Sequence, residues 1–341
     1  MKKVVAISLG LLMVLAIVAC NGGGTPAPAA PADGPRQASD LRIGVLVFQE
    51  DMFMQLYTMG AQSAAAQWGV SINAQNSMND ASREAEIINT WVEQGFDGFV
   101  FMTPDNAIIV HSLRRAHEAG MEIVAGSTLT DEGYQYVRGT IATSQESLGV
   151  AAGRAAVQYI QENNIYPVNI GIVQFAAQVA WSSAARVDNF LLQLEEAGIE
   201  YNVLSDQDGH MADIAIAVAT DMLTAAPDIN IMFAANSGGT IGTTMAVRNL
   251  GLTDQITVFG VDADEQICGF ILSDDYPLVG VAAQDPFGNA FTATDILIRG
   301  LLGYEITEFN ETYIVRRDGV GLSIFDRAEV EDFLEMLRGL N

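Results

Sequence analysis

Short β-branched apolar runs alternate with longer stretches of helical period from Leu41 to about residue 302. Because a helix-length segment separates consecutive strands, each strand has to reach the next by a crossover, which favours parallel sheets covered by helices. The sequence therefore predicts an α/β protein. The predicted strands are 42–48, 70–75, 98–102, 122–125, 168–174, 200–205, 230–235, 256–261 and 278–283.

Five of the predicted helices end in a glycine shortly before the next strand, as in AQWGV and EEAGIEY. A glycine in this place adopts the left-handed conformation that closes a helix. Since this structural role explains all five, we assign none of them to a site. They are Gly69, Gly95, Gly120, Gly198 and Gly251. A last helix is predicted from Asp326, with Glu329 completing a capping box.

The series divides into two similar halves, one ending near Thr143 and the other near Gln284, after which one more helix and a tail follow. We expect two doubly wound lobes joined by three crossovers near 143, 284 and 310. The predicted N-terminal lobe comprises 41–143 and 285–310, and the C-terminal lobe 144–284 and 311–341. Open α/β sheets bind ligands beyond the carboxyl ends of their strands, so site residues are sought there.

The first 20 residues have the pattern of a secretion signal. Two lysines precede an apolar run that ends at Cys20, and the run is too short and wrongly flanked for a membrane span of about 20 residues. Its last four residues, IVAC, resemble the bacterial lipobox, which implies that Cys20 is lipidated and begins the mature chain. An ordinary signal peptide that contains a cysteine is the alternative. Residues 21–40, rich in Gly, Pro and Ala, predict a flexible tether.

The charge balance excludes nucleic acid as a partner. The chain has 16 basic and 42 acidic residues, and both lysines lie in the leader. Such a surface suits either high salt or low external pH. Without Cys20, the remaining Cys268 has no partner for an intrachain disulfide, and its apolar context QICGF favours a buried structural thiol over a nucleophile or a metal ligand.

Six segments follow or overlap the ends of predicted strands: DMFMQLYTMGAQSAA, GFVFMTPDN, SSAARVDNF, LTAAPDINIMFAANS, VFGVDADE and AAQDPFG. They resemble the corresponding segments of the ribose-binding family of periplasmic sugar-binding proteins. The similarity spans about residues 41 to 315 and implies the type I periplasmic-binding-protein fold. It also implies a monomer without cofactor or catalysis, which closes on a small sugar or related polyhydroxylated ligand. The implied partner is an ABC permease complex, and the implied location is outside the cytoplasm, where the lipidated Cys20 anchors the protein to the membrane.

The resemblance also assigns roles to single residues. Phe53 matches a ring that stacks on the sugar, although it is equally suited to be the first core residue of the next helix. Arg186 matches a ligand-contacting arginine, and Gln284 matches an amide beside the hinge. Asn236 and Asp262 match an amide and a carboxylate that bind hydroxyl groups, and both are also suited to be N-caps.

One segment departs from the family pattern. Where an acidic residue and an arginine are common, this chain has Gly126-Ser127-Thr128, so the N-terminal lobe lacks one carboxylate and one guanidinium. We expect neighbouring side chains to compensate. The further ligand candidates are therefore Ser127, Gln49, Asp51, Trp181 and His210. Trp181 is alternatively a core residue, and His210 is alternatively a residue of a surface loop.

Two other classes of function compete with transport. A tethered sensor that presents its ligand to a receptor or kinase would need the same cleft. An anchored glycoside-processing enzyme would need a pair of carboxylates at suitable spacing, which so acidic a chain does not exclude. The sequence contains no P-loop, nucleophile elbow or dinucleotide fingerprint, and His111 and His117 do not have zinc-ligand spacing.

Overall fold

The computed structural model describes residues 37–104, 107–308, 314–317 and 319–339. The predicted signal peptide, Cys20 and the first part of the tether lie outside these ranges. Residues Ala38–Asp40, which we expected to belong to the tether, form a short 3₁₀ helix, and Ala38 packs against the core of the first lobe. No helix within the described ranges is long and apolar enough to cross a membrane.

The first lobe is a six-stranded parallel sheet with helices on both faces. Alternate strand residues enter two cores: Val45 and Val100 contribute to one face, whereas Leu46 and Phe99 contribute to the other. The strands are β1 Ile43–Val47, β2 Ile72–Asn76, β3 Gly98–Phe101, β4 Glu122–Ala125, β5 Gly139–Thr143 and β11 Ile314–Arg317, and the helices are α1 Met52–Gln67, α2 Ala81–Glu93, α3 Val110–Glu118 and α9 Pro286–Leu301. The strand order is β11-β5-β4-β3-β1-β2.

The second lobe repeats this plan. The strands are β6 Val168–Gln174, β7 Tyr201–Asp208, β8 Ile231–Ala234, β9 Thr257–Val261, β10 Leu278–Ala283 and β12 Val320–Ser323, and the helices are α4 Gln145–Asn163, α5 Ala176–Glu196, α6 Ala212–Ala225, α7 Ser237–Asn249, α8 Glu265–Leu272 and α10 Arg327–Gly339. The strand order is β12-β10-β9-β8-β6-β7, and the edge strand β12 is antiparallel to its neighbour. Helices α4 and α5 cover one face of the sheet, and α6, α7, α8 and α10 cover the other.

The chain passes between the lobes three times, and the position predicted for the third passage is wrong. The first two crossovers follow β5 and β10, near 143 and 284 as predicted. The third lies between β11 and β12 rather than near 310, because Ile314–Arg317 pairs with β5 in the first sheet. Three strands were missed, β5, β11 and β12. The last two are four residues long and at sheet edges, where pairing with a distant segment decides the conformation more than the local pattern does.

The predicted helix ends are confirmed. Each of the five glycines has φ between 69° and 85°, in the left-handed region. Asp326 caps α10 by accepting a hydrogen bond from the Glu329 N–H at 3.1 Å, and Val330 and Leu334 of this helix are buried. Cys268 is a buried free thiol, and burial raises its pKa to about 12, so it is protonated at neutral pH.

Candidate functional site

A cavity of about 100 Å³ lies between the lobes at the carboxyl ends of both sheets. This volume corresponds to several water molecules and suits a small ligand. Its walls come from the segments that follow β1, β3, β4 and β5 in the first lobe and β6, β8, β9 and β10 in the second. Nine of the ten predicted ligand residues line it: Gln49, Asp51, Phe53, Ser127, Trp181, Arg186, Asn236, Asp262 and Gln284.

The structure places the tenth candidate, His210, outside this cavity. Its side chain lines a separate depression with Asn79 and Glu84, and its Nδ1 lies 3.3 Å from Oδ1 of Asp208. His210 follows β7, which is one edge strand of the second sheet. The second and third crossovers are at the other edge, beside β10 and β12. Only its backbone carbonyl approaches the site, where it accepts a hydrogen bond of 2.8 Å from Nδ2 of Asn236.

Asp262 follows β9 and is the most constrained residue of the cavity. Its φ of 74° is in the left-handed region, which is unfavourable for a residue other than glycine and is found preferentially at functional sites. Two hydrogen bonds hold its carboxylate, from the Ser237 N–H at 2.9 Å and from Nε2 of Gln284 at 2.6 Å. The N-cap of α8 is Asp264, so helix capping does not explain Asp262.

Arg186 lies beside Asp262, with its Nη1 atom 3.8 Å from Oδ2 of the carboxylate. The guanidinium is buried over the ring of Phe175, donates from Nε to Oε1 of Gln145 at 2.8 Å, and donates from Nη1 to the Ala235 carbonyl at 2.8 Å. Burial lowers the pKa of Arg186, against the opposing effect of the Asp262 charge. An arginine nevertheless stays cationic in a protein, so the pair presents both charges to the cavity.

Asn236 is an N-cap, which is the structural alternative that the sequence left open for this residue. Its Oδ1 accepts from the Gly239 N–H at 3.0 Å and so caps α7, while its Nδ2 is bonded to the His210 carbonyl. Both ends of the amide are therefore already engaged by the protein. Contact between Asn236 and a ligand stays a prediction.

Aromatic side chains from both lobes face the cavity. Phe53 of α1 lines it and also packs against the first-lobe core, so the predicted core role is confirmed, whereas stacking on a ligand stays a prediction. Met52 is 44% exposed and does not line the cavity; Met54 does. Trp181 is 40% exposed on the second-lobe side. Phe175, which directly follows β6, is a further lining ring that sequence reasoning missed.

The first-lobe wall carries one carboxylate, Asp51, which caps α1 through the Met54 N–H at 2.8 Å and accepts a hydrogen bond from Gln49. Burial raises the pKa of Asp51, and the charges of Asp262 and Asp264 raise it further. The pKa of Asp264 is also raised, chiefly by burial. The surroundings of the cavity are thus acidic, and Arg186 is the one cationic side chain among the described residues that line it.

The amide of Gln178 connects the two lobes. Its Nε2 atom, in α5 of the second lobe, donates to Oε1 of Gln49 and, at 3.1 Å, to Oδ1 of Asn79, both in the first lobe. Val179, the next residue, has non-helical angles of φ −139° and ψ 81°, so the helix is kinked where this contact forms. No local sequence signal indicates such a contact, because it depends on the relative position of the lobes.

Comparison with known proteins identifies the family. A model of the periplasmic binding protein domain matches residues 43–305. The ABC transporter periplasmic-binding protein YphF of Escherichia coli K12 is 25% identical over 232 residues, 67% of this chain and 70% of that protein. The ribose import binding protein RbsB of the same organism is 25% identical over 228 residues, 67% of this chain and 73% of that protein.

A solved structure shares the fold. An ABC transporter solute-binding protein from Bacillus halodurans C-125, determined with bound myo-inositol, superposes with a TM-score of 0.76 at 16% identity. The match covers 88% of this chain and 99% of that one. The predicted type I fold of two doubly wound lobes is confirmed.

The chain belongs to the periplasmic binding protein family, among the solute-binding proteins related to the ribose-binding proteins, so the resemblance read from the sequence is confirmed. Members of this family bind substrates for transporters, and the chain is a binding protein rather than an enzyme. The family also implies a location outside the cytoplasm.

Proposed function

We propose that this protein is the solute-binding component of an ABC transporter and that it captures a small, neutral, polyhydroxylated ligand, a monosaccharide or a cyclic polyol, between its two lobes. The observation that carries the proposal is the buried pair of Arg186 and Asp262 at the cavity. A guanidinium has five donors, of which Gln145 and Ala235 use two, and a carboxylate accepts several hydrogen bonds. Neighbouring hydroxyl groups of one ligand satisfy both kinds of group.

The apolar part of the cavity supports the same ligand class. A sugar ring has C–H faces that pack against aromatic rings while its hydroxyl groups point outward. Phe53 of the first lobe and Phe175 and Trp181 of the second provide such rings. A ligand between them is contacted from both lobes.

The charges argue against an anionic ligand. Asp51 and Asp262 both line the cavity, and the single guanidinium of Arg186 already lies beside one of them. A phosphate or carboxylate group on the ligand would be repelled at close range in a poorly solvated site. A neutral ligand avoids this cost.

The partner and the anchor complete the proposal. The relatives include transport-binding proteins for ribose, which supports an ABC permease complex as the receiver of the loaded protein. The lipobox-like residues before Cys20 support a lipid anchor, which would keep the protein near its permease, and a monomer is sufficient for delivery. A sensor would share the binding step and differ only in its partner.

Thermal unfolding in the presence of D-ribose, D-allose, myo-inositol and ribose 5-phosphate tests the proposal. A ligand that binds only the folded protein adds about 2.7 kcal/mol of stability at 100 times its Kd. We expect at least one neutral compound to raise the melting temperature and ribose 5-phosphate to have no effect. Stabilisation by the phosphate alone, or by none of the neutral compounds, would contradict the proposal.

A further inference from the structure

The hydroxyl group of Tyr57 is a buried polar group without a hydrogen-bond partner. Tyr57 lies in α1, its ring packs in the first-lobe core, and only 1% of the residue is exposed. Its Oη atom makes no hydrogen bond, although the residue lines the interlobe cavity. Burial raises the pKa of this phenol, so it keeps its proton and can both donate and accept. Buried polar groups in folded proteins are almost always paired, so this one needs an explanation.

Gly126, directly after β4, provides the space that this hydroxyl group occupies. A Cβ atom at residue 126 would lie 2.3 Å from Oη of Tyr57, closer than such atoms approach. The backbone of Gly126 is outside the left-handed region, so its conformation does not require glycine. Two carbon atoms of the Tyr57 ring would lie 2.8 Å from the same Cβ atom, so a glycine at residue 126 leaves room for this end of the tyrosine side chain.

A second residue that lines the same cavity also carries an unpaired polar atom. Asn289 of α9 is 5% exposed; its Nδ2 donates to Oγ1 of Thr143 at 3.3 Å, while its Oδ1 has no partner. Three other buried hydroxyl groups among the described residues also lack partners, but they do not line the cavity. The two lining residues with an unpaired polar atom, Tyr57 and Asn289, both belong to first-lobe helices, whereas Arg186 and Asp262 belong to the second lobe.

We propose that Tyr57 and Asn289 are specificity-determining residues, with one ligand hydroxyl bonded to Oη of Tyr57 beside Gly126 and another donating to Oδ1 of Asn289. The inference rests on the proposed function and deepens it. The amide oxygen only accepts, so the ligand has to present a donor there. The first lobe thus recognises hydroxyl groups of the ligand with a phenol and an amide. Loss of a hydroxyl at either position would leave a buried protein group unpaired in the complex.

The test uses Tyr57→Phe, which keeps the ring and removes only the hydroxyl group. Because that group has no partner within the described protein, the melting temperature of the ligand-free variant should equal or exceed that of the wild type. Calorimetry with whichever of D-ribose, D-allose and myo-inositol binds the wild type should show about a tenfold loss of affinity. Tyr276→Phe, outside the cavity, is the matched control and should bind as the wild type does.

A second pair of variants tests the space beside the hydroxyl. Gly126→Ala should displace Tyr57 Oη and weaken binding of the same compound at least tenfold. Gly269→Ala, where an added Cβ atom would have no neighbour within 4 Å, should leave binding unchanged.

Two results would contradict the inference. A melting temperature lowered by Tyr57→Phe would show that the hydroxyl group has a structural partner. Affinity within twofold of the wild type for both Tyr57→Phe and Gly126→Ala would show that the hydroxyl group is not part of the site. Either result overturns the inference and leaves the proposed function standing. If none of the three compounds binds the wild type, the proposed function fails and the inference fails with it.

Discussion

Nε2 of Gln284 donates a hydrogen bond of 2.6 Å to Oδ1 of Asp262, and this contact links the end of β9 to the second crossover between the lobes. The carboxylate with the most constrained backbone in the cavity is therefore held by a segment that joins the two lobes.

Replacement of Asp262 by Asn should weaken ligand binding about tenfold while the fold is retained. Asn tolerates the left-handed backbone, but it replaces charge-assisted hydrogen bonds of about 1.5–3 kcal/mol by neutral ones of about 1 kcal/mol. Calorimetry with the compound found in the thermal-unfolding panel measures the effect. Asp275→Asn, at an exposed position of the same lobe, is the control. Equal affinity for both variants would show that the Asp262 charge is not part of the site.

Gln178→Ala should shift the ligand-free protein towards an open arrangement of the lobes. The substitution removes the two hydrogen bonds that Gln178 donates to Gln49 and Asn79, each worth about 0.5–1.5 kcal/mol. Distances between spin labels placed one on each lobe should lengthen, and the affinity for the ligand should fall because closure costs more. The exposed Gln161→Ala serves as control; distances unchanged in Gln178→Ala would mean that the contact does not hold the lobes together.

Ligand binding should close the lobes about the three crossovers. Phe53 and Ser127 line the cavity from the first lobe and Arg186 and Asp262 from the second, so a ligand that touches both sides would gain its full contact energy only in the closed state. Small-angle scattering should show a smaller radius of gyration with the ligand than without it. An unchanged radius, together with unchanged label distances, would indicate binding without closure.

The raised pKa of Asp51 predicts a pH dependence of stability. Above its folded-state pKa the ionised carboxylate is buried at a cost, chiefly through lost hydration and then through the charge of Asp262. Stability should increase as pH falls through that raised pKa. The gain in stability should be complete near pH 3.8, the ordinary pKa of an aspartate side chain. The pKa of Asp264 is also raised, so this carboxyl group should likewise make the folded protein more stable as pH falls.

Asp51→Asn provides the measurement for this dependence. Asn is as good an N-cap as Asp, so the variant keeps the cap of α1 and removes the buried charge. We expect it to melt no lower than the wild type at pH 7 and to gain less stability between pH 7 and pH 4. If the stability of the variant depends on pH as that of the wild type does, Asp51 does not contribute to the pH dependence.

Cys20→Ser should release the protein from membranes. The prediction rests on the lipobox-like end of the apolar leader and on the Gly-Pro-Ala segment after it. Fractionation of cells that produce each form, followed by detergent extraction of the pellets, measures the anchor. If the serine variant still sediments with membranes and is released only by detergent, Cys20 is not the anchor.

Much of the fold could be predicted from the chain because its signals are local. All nine predicted strands are present, and the five glycines close their helices as expected, since helix ends and strand alternation depend on neighbours within a few residues. The order of polar residues after successive strands also placed nine of the ten candidates in one cavity. Parallel strands bring their carboxyl ends to one edge of a sheet, so this grouping follows from the alternation itself.

The tertiary structure decided what depends on residues far apart in the chain. The third crossover follows β11 because Ile314–Arg317 pairs with the edge of β5 in the first sheet. His210 lies outside the cavity because it follows β7, which is at the edge of the second sheet opposite to β12. The contact of Tyr57 with Gly126 joins residues 69 positions apart, and that of Gln178 with Asn79 joins residues 99 positions apart. No local pattern encodes such pairs, because space and partners at these positions exist only once the sheets and lobes have assembled.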